Sequence, residues 1–210
     1  MTNPSPRFYL EPLSEAKHAQ GVYDHWRDPA NIRGTSMEKA PTLEVTRTMV
    51  RDRAYGAKPG IVNFAIMVGP ESPLYGLATA AGPNDDSPQQ QQREPEGEPR
   101  EETNPPKLIG VAGVLRVAPE EAGWWVAGLY RGLGVATEAV GLMLEKYWET
   151  KPAASEVIAY IQEGNVPSER VAAKAGFVRV MERTMVKGST LPNGQVMKSD
   201  CGVWAAKRPV

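Results

Sequence analysis

Apolar and polar residues alternate through RFYLEPL (7–13), the two-residue period of a half-buried strand. Ser14, Lys17 and the stretch AQGVYDHW that follows predict a helix running to about Asp28, where Pro29 stops it. In PTLEVTRTMVRDRA (41–54), Leu43, Thr46, Met49, Val50 and Arg53 recur at helical spacing and predict a second helix. IVNFAIMV (61–68) and LIGVAGVLRV (108–117) read as strands, and the glycines at 110 and 113 point to a bulge or close packing. Pro119 and Glu120 turn the chain into EAGWWVAG (121–128), so the strands at 108–117 and 121–128 should form an antiparallel hairpin. YRGLGVATEAVGLMLEKYWE (130–149) carries apolar residues at 136, 139, 140, 143, 144 and 147, one stripe of a helix. SEVIAYIQ (155–162) is a strand. Asn165 caps a short helix with Pro167 in its first turn and Gly176 just past its end. FVRVMERTMV (177–186) is a strand, LPNG (191–194) a turn, and a last strand follows near SDCGVWAA. The order β-α-α-β-β-β-α-β-α-β-β is mixed α/β, with both parallel and antiparallel neighbours.

One segment breaks the pattern. From Gly82 to Pro106 the chain is rich in Pro, Gln and Glu and has no aliphatic residue. It cannot bury enough surface to order itself and reads as a disordered insertion in a single domain covering 1–210. A net charge of −1 gives no global attraction to nucleic acid or an anionic membrane. No apolar run is long enough to cross a bilayer, and MTNPSPRF lacks the apolar core of a signal peptide, so a cytoplasmic protein is expected. The single cysteine, Cys201, rules out an internal disulfide and, beside Gly202, Val203 and Trp204, reads as a packed thiol. His18 and His25 lie seven apart in the first helix; two histidines make a poor metal site, and they read as a solvated helix face. No metal is expected.

The chemistry concentrates where a strand ending near Val126 meets a helix starting near Gly134. The first N–H groups of a helix have no partner inside it, and the helix dipole adds positive potential there. That is an anion site suited to a phosphate or pyrophosphate. Gly132 and Gly134 remove side chains that would hold the anion off, and Arg131 can add a charge-assisted contact. Tight packing of a helix entry on a sheet would favour the same glycines. A dinucleotide fold fits less well. Thr137 replaces its third glycine, the motif follows an antiparallel hairpin, and Tyr160, Ile161 and Gln162 stand where an acid should end the next strand.

A second constellation joins the first. Residues 165–177 read NVPSERVAAKAGF. Together with YRGLGVATEA they resemble the GNAT superfamily of acyl-CoA-dependent N-acyltransferases. The family's phosphate loop, Q/R-x-x-G-x-G/A, is matched in register by Arg131, Gly134 and Ala136. The blocks Ala122 to Val126, Tyr130 to Ala139, and Asn165, Ser168, Arg170, Val171, Lys174, Gly176 and Phe177 resemble the ribosomal-protein N-terminal acetyltransferase branch more closely. The match covers about 107–187.

The resemblance implies a GNAT-like mixed sheet of six to seven strands with about four helices. Strands 121–126 and 155–161 would splay to hold acyl-CoA, with a bulge in the first leaving free N–H groups. Acetyl-CoA would be the cosubstrate, and an amine acceptor, a peptide N-terminus or a small molecule, would attack it directly, on a monomer or homodimer. Cofactor contacts would come from Trp125, Val126, Arg131, Gly132, Leu133, Gly134, Val135, Ala136, Thr137, Asn165 and Ser168. Glu121 is the candidate general base; the alternative is a solvated Glu in a turn beside Glu120. Many relatives carry a Tyr where this chain has Ala172. Ser168 would then protonate the leaving sulfur, or serve only as a first-turn Ser bonded to nearby backbone. Arg170 and Lys174 can be read as ligands of the CoA phosphates, but read better as solvated helix charges. One of Trp124 and Trp125 should pack in the core and the other line the acceptor pocket. Leu133 stands where relatives often carry Lys or Arg. A binding module without catalysis is the other function these residues allow.

Overall fold

The computed structural model of the chain describes residues 7–32, 40–77, 104–190 and 196–209. The segment read as an insertion at 82–106 lies outside them except for its last three residues, and the turn at 191–194 lies outside entirely. In chain order come β1 (Tyr9–Pro12), α1 (Glu15–Trp26), α2 (Pro29–Ile32), α3 (Leu43–Asp52), β2 (Val62–Val68), β3 (Lys107–Val117) and β4 (Glu120–Val126). A 3-10 turn (Gly128–Tyr130), α4 (Val135–Thr150), β5 (Glu156–Gln162), α5 (Val166–Lys174), β6 (Val178–Thr190) and β7 (Val196–Lys207) follow. The strands form one seven-stranded sheet in the order β1-β2-β3-β4-β5-β7-β6. This is the GNAT-like mixed α/β architecture that the motifs imply.

Alternation along the central strands sends side chains to two opposite cores. On one face Phe64, Ile66, Ile109, Ala112 and Val114 pack against the stripe of α4, where Ala139, Val140, Met143, Leu144 and Tyr147 are buried. On the other face Ala65, Met67, Leu108 and Val111 meet Ala19, Val22 and Trp26 of α1 and Val50 of α3. Each Val, Leu, Ile, Phe or Met among them contributes about 1.5–3 kcal/mol on burial, so the two helical layers clamp the sheet. Cys201 is buried in β7.

β4 and β5 run parallel but share a single register pair, Glu121 with Ile158. The outer edge of β4 is paired with β3, and the outer edge of β5 with β7 from Glu156 to Gln162. Beyond Glu121 the two strands part, and the sheet opens toward their C-terminal ends.

Three local readings need correction. The bulge expected in 121–126 lies instead on the partner strand. The register breaks between Val114 and Arg116 while Glu121 and Ala122 stay consecutive, which makes Leu115 of β3 the extra residue. Gly123 opposite leaves the room that the Leu115 side chain occupies. Pro29 does not simply stop a helix: α1 ends at Trp26, and Pro29 opens α2, since a first-turn proline forfeits no helical bond.

The histidines do not line a solvated face. His18 is 2% exposed, and its Nδ1 takes the Ser14 N–H at 3.0 Å. His25 Nε2 lies 2.6 Å from the Leu108 carbonyl and ties α1 to β3. Both belong to the stripe that contains Val22 and Trp26.

Burial holds the His18 pKa below its ordinary 6.5, against the pull of Glu11. The unfolded chain therefore takes up this proton first, so His18 stabilises the fold above about pH 6.5 and this contribution is lost as pH falls below it. Thermal melts from pH 7.5 to 5 should show Tm falling through that window. The slope should be shallower in His18→Gln, and an unchanged slope would reject the assignment.

Candidate active site

The site is built where the split opens. After Val126 the 3-10 turn buries Tyr130, and the chain then passes through Gly132 (φ +77°) and Gly134 (φ +80°). A side chain is strained at such angles. A Cβ built on either glycine meets nothing within 4 Å, so their faces are open and packing is not what requires them. The left-handed angles, rather than tight packing, account for glycine at both positions. Gly134 is the N-cap of α4, and the first helical bond runs from the Glu138 N–H to its carbonyl at 3.1 Å. The N–H groups of Val135, Ala136 and Thr137 therefore have no partner within the helix.

Facing this helix entry is a cavity of about 570 Å³. Trp124, Trp125 and Val126 line it from β4, Arg131 to Thr137 without Leu133 from the loop and α4, and Asn165, Ser168, Arg170 and Lys174 from the start and face of α5. The residues quoted for the acyl-CoA contacts thus come together around one cavity, Leu133 excepted. Its side chain is exposed, and its carbonyl accepts a 2.7 Å bond from the Arg7 guanidinium.

Asn165 is the N-cap of α5, its Oδ1 accepting the Ser168 N–H at 3.3 Å. The helix ends in a Schellman motif: Phe177 N–H bonds to the Ala172 carbonyl and Gly176 N–H to Ala173, with Gly176 at φ +90°. Trp124 packs on Phe177 on the α4 side, and Trp125 on His25 and Trp26 on the α1 side, while both reach the cavity.

Asn31 was not found from the sequence. It is buried, lines the cavity, accepts the Gly128 N–H at 2.7 Å and donates to the His25 carbonyl at 3.0 Å. The Arg131 guanidinium reaches the carbonyls of Val126 (3.2 Å) and Asn31 (3.4 Å), so it braces the loop from within the cavity wall.

Glu121 lies outside the cavity lining, at the closed end of the split. It is not a solvated turn residue: its side chain is 16% exposed and 3.0 Å from Arg116. Burial raises its pKa above 4.5, the nearby Arg116 and Arg53 opposing.

A family model described as an acetyltransferase (GNAT) domain matches residues 7–178. The chain belongs to the GNAT acetyltransferase family. Solved structures of the same fold include an acetyltransferase (GNAT family) from Bacillus anthracis, 20% identical over 96% of this chain and 95% of that one, with a TM-score of 0.59. A putative acetyltransferase from Acinetobacter baylyi is 15% identical over 96% and 93%, also at 0.59. The aminoglycoside acetyltransferase AAC(6′)-Ib in complex with coenzyme A is 14% identical over 96% and 95%, at 0.59. No curated protein matches the sequence. This GNAT domain uses acetyl-CoA as its cosubstrate. The open glycines and unpaired N–H groups fit an anionic pyrophosphate, and the apolar walls of Trp124, Trp125 and Val126 fit the arm beyond it. Among the described residues no cluster could hold a metal ion, and no helix is long and apolar enough to cross a membrane.

Gly134→Ala should keep the fold, at a cost of about 1–2 kcal/mol for the left-handed angle, and should weaken acetyl-CoA binding at least tenfold by calorimetry. Unchanged affinity would leave the glycine serving the left-handed backbone angle alone. Asn31→Ala should orphan the Gly128 N–H, the His25 carbonyl keeping its bond from the Asp28 N–H, and lower stability by about 1–3 kcal/mol in denaturant titrations; a loss below about 0.5 kcal/mol would mean that water replaces it.

Proposed function

We propose that this domain moves an acetyl group from acetyl-CoA directly to a primary amine of low basicity. A peptide N-terminus is the acceptor that the resemblance to the ribosomal-protein N-terminal acetyltransferase branch implies; a small-molecule amine of similar pKa would meet the same chemistry. The observation that carries this reading is the composition of the cavity. It is lined by aromatic groups, open backbone and cations, and no carboxylate or histidine is among its lining residues. A peptide α-amine, with a pKa near 8, sheds its proton near neutral pH with little help, whereas a Lys amine near 10.4 needs a strong local base.

Acetyl-CoA supplies an activated acyl group when bound. In this reading the amides of 132–137 hold its pyrophosphate. The free inner edge of β4 at Trp125 and Val126 bonds the pantetheine arm, with Asn165 at the other side of the split. Holding amine and acyl carbon in line then supplies much of the rate.

Glu121 takes the amine proton. Burial supports it in this role, because a carboxylate raised toward neutrality is a better base near the working pH. Ser168 gives a proton to the departing sulfur. Its hydroxyl has no described partner, and its backbone N–H is already fixed by Asn165.

Turnover with acetyl-CoA over a panel of peptide and small-molecule amines tests the reading. Glu121→Gln should lower kcat, and more steeply for panel amines of higher pKa, which need the base most. The base works only when ionised, so wild-type kcat/KM should fall as pH drops through the raised Glu121 pKa, and the Gln variant should lose that limb. Ser168→Ala should lower kcat more than KM. Binding without turnover on any amine would favour an acyl-CoA-binding module instead.

A further inference from the structure

Glu121 has two arginines near it. β4 sends Glu121, Gly123 and Trp125 to one face of the sheet, the face that α1 and α3 cover. Arg116 of β3 is in register with Glu121, and the two form an ion pair at 3.0 Å, so their charges cancel. Arg53 stands beside the pair. It is the C-cap of α3 and is half-buried. The side-chain amide of Asn63, fully buried in β2, donates to the Arg53 carbonyl at 2.9 Å. The same side chain lies over Gly113, whose cross-strand partner is Gly123. The end of α3 is thereby fixed against the row of small residues that leads to Glu121.

The Arg53 guanidinium makes no hydrogen bond or ion pair to any described residue. Asp52, next to it in sequence, is exposed and forms no ion pair with it. Burial, and after it the Arg116 charge, hold the Arg53 pKa below its ordinary value, Glu121 and Asp52 opposing. The C-terminus of a helix favours a cation but supplies this one with no partner. A half-buried charge left unpaired costs stability.

Two cations and one anion leave one positive charge in excess beside the candidate base. An acceptor that arrives as a bare ammonium is repelled by that excess. An acceptor that brings its own carboxylate is not: the acid meets the guanidinium fork while the amine meets Glu121. We propose that Arg53 receives a carboxylate of the acceptor, and that this domain prefers amines carrying an acid close to the nitrogen. A peptide that opens with an acidic residue has this chemistry, and so does a small amino acid derivative with a side-chain acid. The assignment rests on the reading that Glu121 stands beside the acceptor amine.

Turnover with acetyl-CoA on matched acceptors tests it. One pair is a peptide beginning with Asp and the same peptide beginning with Asn; the other is the free α-amides of Asp and Asn. Rates are compared at about pH 9, above the α-amine pKa near 8, so that both members are neutral at nitrogen. Wild type should favour the Asp member about tenfold in kcat/KM, the size of one hydrogen bond to a charged group, and mainly through KM. A preference confined to the peptides assigns a peptide acceptor, and one shared by the amides assigns the small molecule as well. Arg53→Gln should bring the Asp member down to the level of the Asn member and leave the latter unchanged. Its Tm should hold or rise, because an unpaired charge has gone. Arg53→Glu should reverse the preference, with circular dichroism as the check on folding. Equal wild-type rates within both pairs, which need no variant to measure, would overturn the assignment, and so would an Asp preference that survives in both variants. Either result leaves the amine reading in place. No turnover of any amine would instead remove the reading of Glu121 on which the assignment rests.

Discussion

The cavity of this molecule follows from two parallel strands that start as neighbours and part. β4 and β5 are each fully paired on the outer edge and joined to one another only at Glu121 and Ile158. Past that point each strand presents a row of N–H and C=O groups to the other across a gap too wide to bond. Such groups must find water or a ligand. An exposed sheet edge is ordinarily a hazard. Here it faces inward, onto a cavity, and offers hydrogen bonds to an extended chain of amides such as a pantetheine arm. The same split brings the start of α4 to the gap, because the helix is the crossover between the two strands. Unpaired strand edge and unpaired helix N–H groups are two results of one geometry.

The split is held open from both faces. On one, α4 buries Ala139, Val140 and Met143, and Trp124 packs on Phe177 at the end of α5. On the other, Trp125 is wedged against His25 and Trp26 of α1. Consecutive tryptophans on one strand must point to opposite faces, so the pair Trp124-Trp125 locks β4 to both helical layers at the level where β5 departs. Asn31 completes the brace. It links the end of α1 to the turn before the glycine loop, and Arg131 then ties that loop to Asn31 and Val126. A cavity of this kind keeps its shape because side chains on both faces, rather than strand pairing, position its walls.

How much of this was legible in the sequence depends on how local each cause is. Strand alternation, the α4 stripe and the Asn165 to Gly176 frame of α5 are set within a few residues, and the elements follow them closely. The glycine loop was legible for the same reason: positive φ is a demand on one residue at a time. The bulge was misplaced because it answers to a cross-strand neighbour, Gly123 making room for Leu115. His18 and His25 were misread although a signal existed, since they continue the spacing of Val22 and Trp26; polarity was weighed over period. Asn31 had no local signal at all. Its partner, Gly128, lies far along the chain, and only the tertiary fold brings them together.

Charge follows the same logic. The glycine loop has Leu133 where the resemblance leads one to expect a cation, and by sequence alone this weakens an anion site. In the fold, Arg7 arrives from the start of β1 and donates to the Leu133 carbonyl at 2.7 Å. A guanidinium bonded to that carbonyl both fixes the loop and returns positive charge to its vicinity. Exposed as it is, it acts at short range and is screened by salt. Arg131 is likewise drawn into bracing. The loop therefore spends its own arginine on shape and takes its charge from elsewhere in the chain, leaving the helix entry to backbone N–H groups. An entry made of backbone tolerates side-chain change around it, so Leu133 leaves the shape of the loop intact.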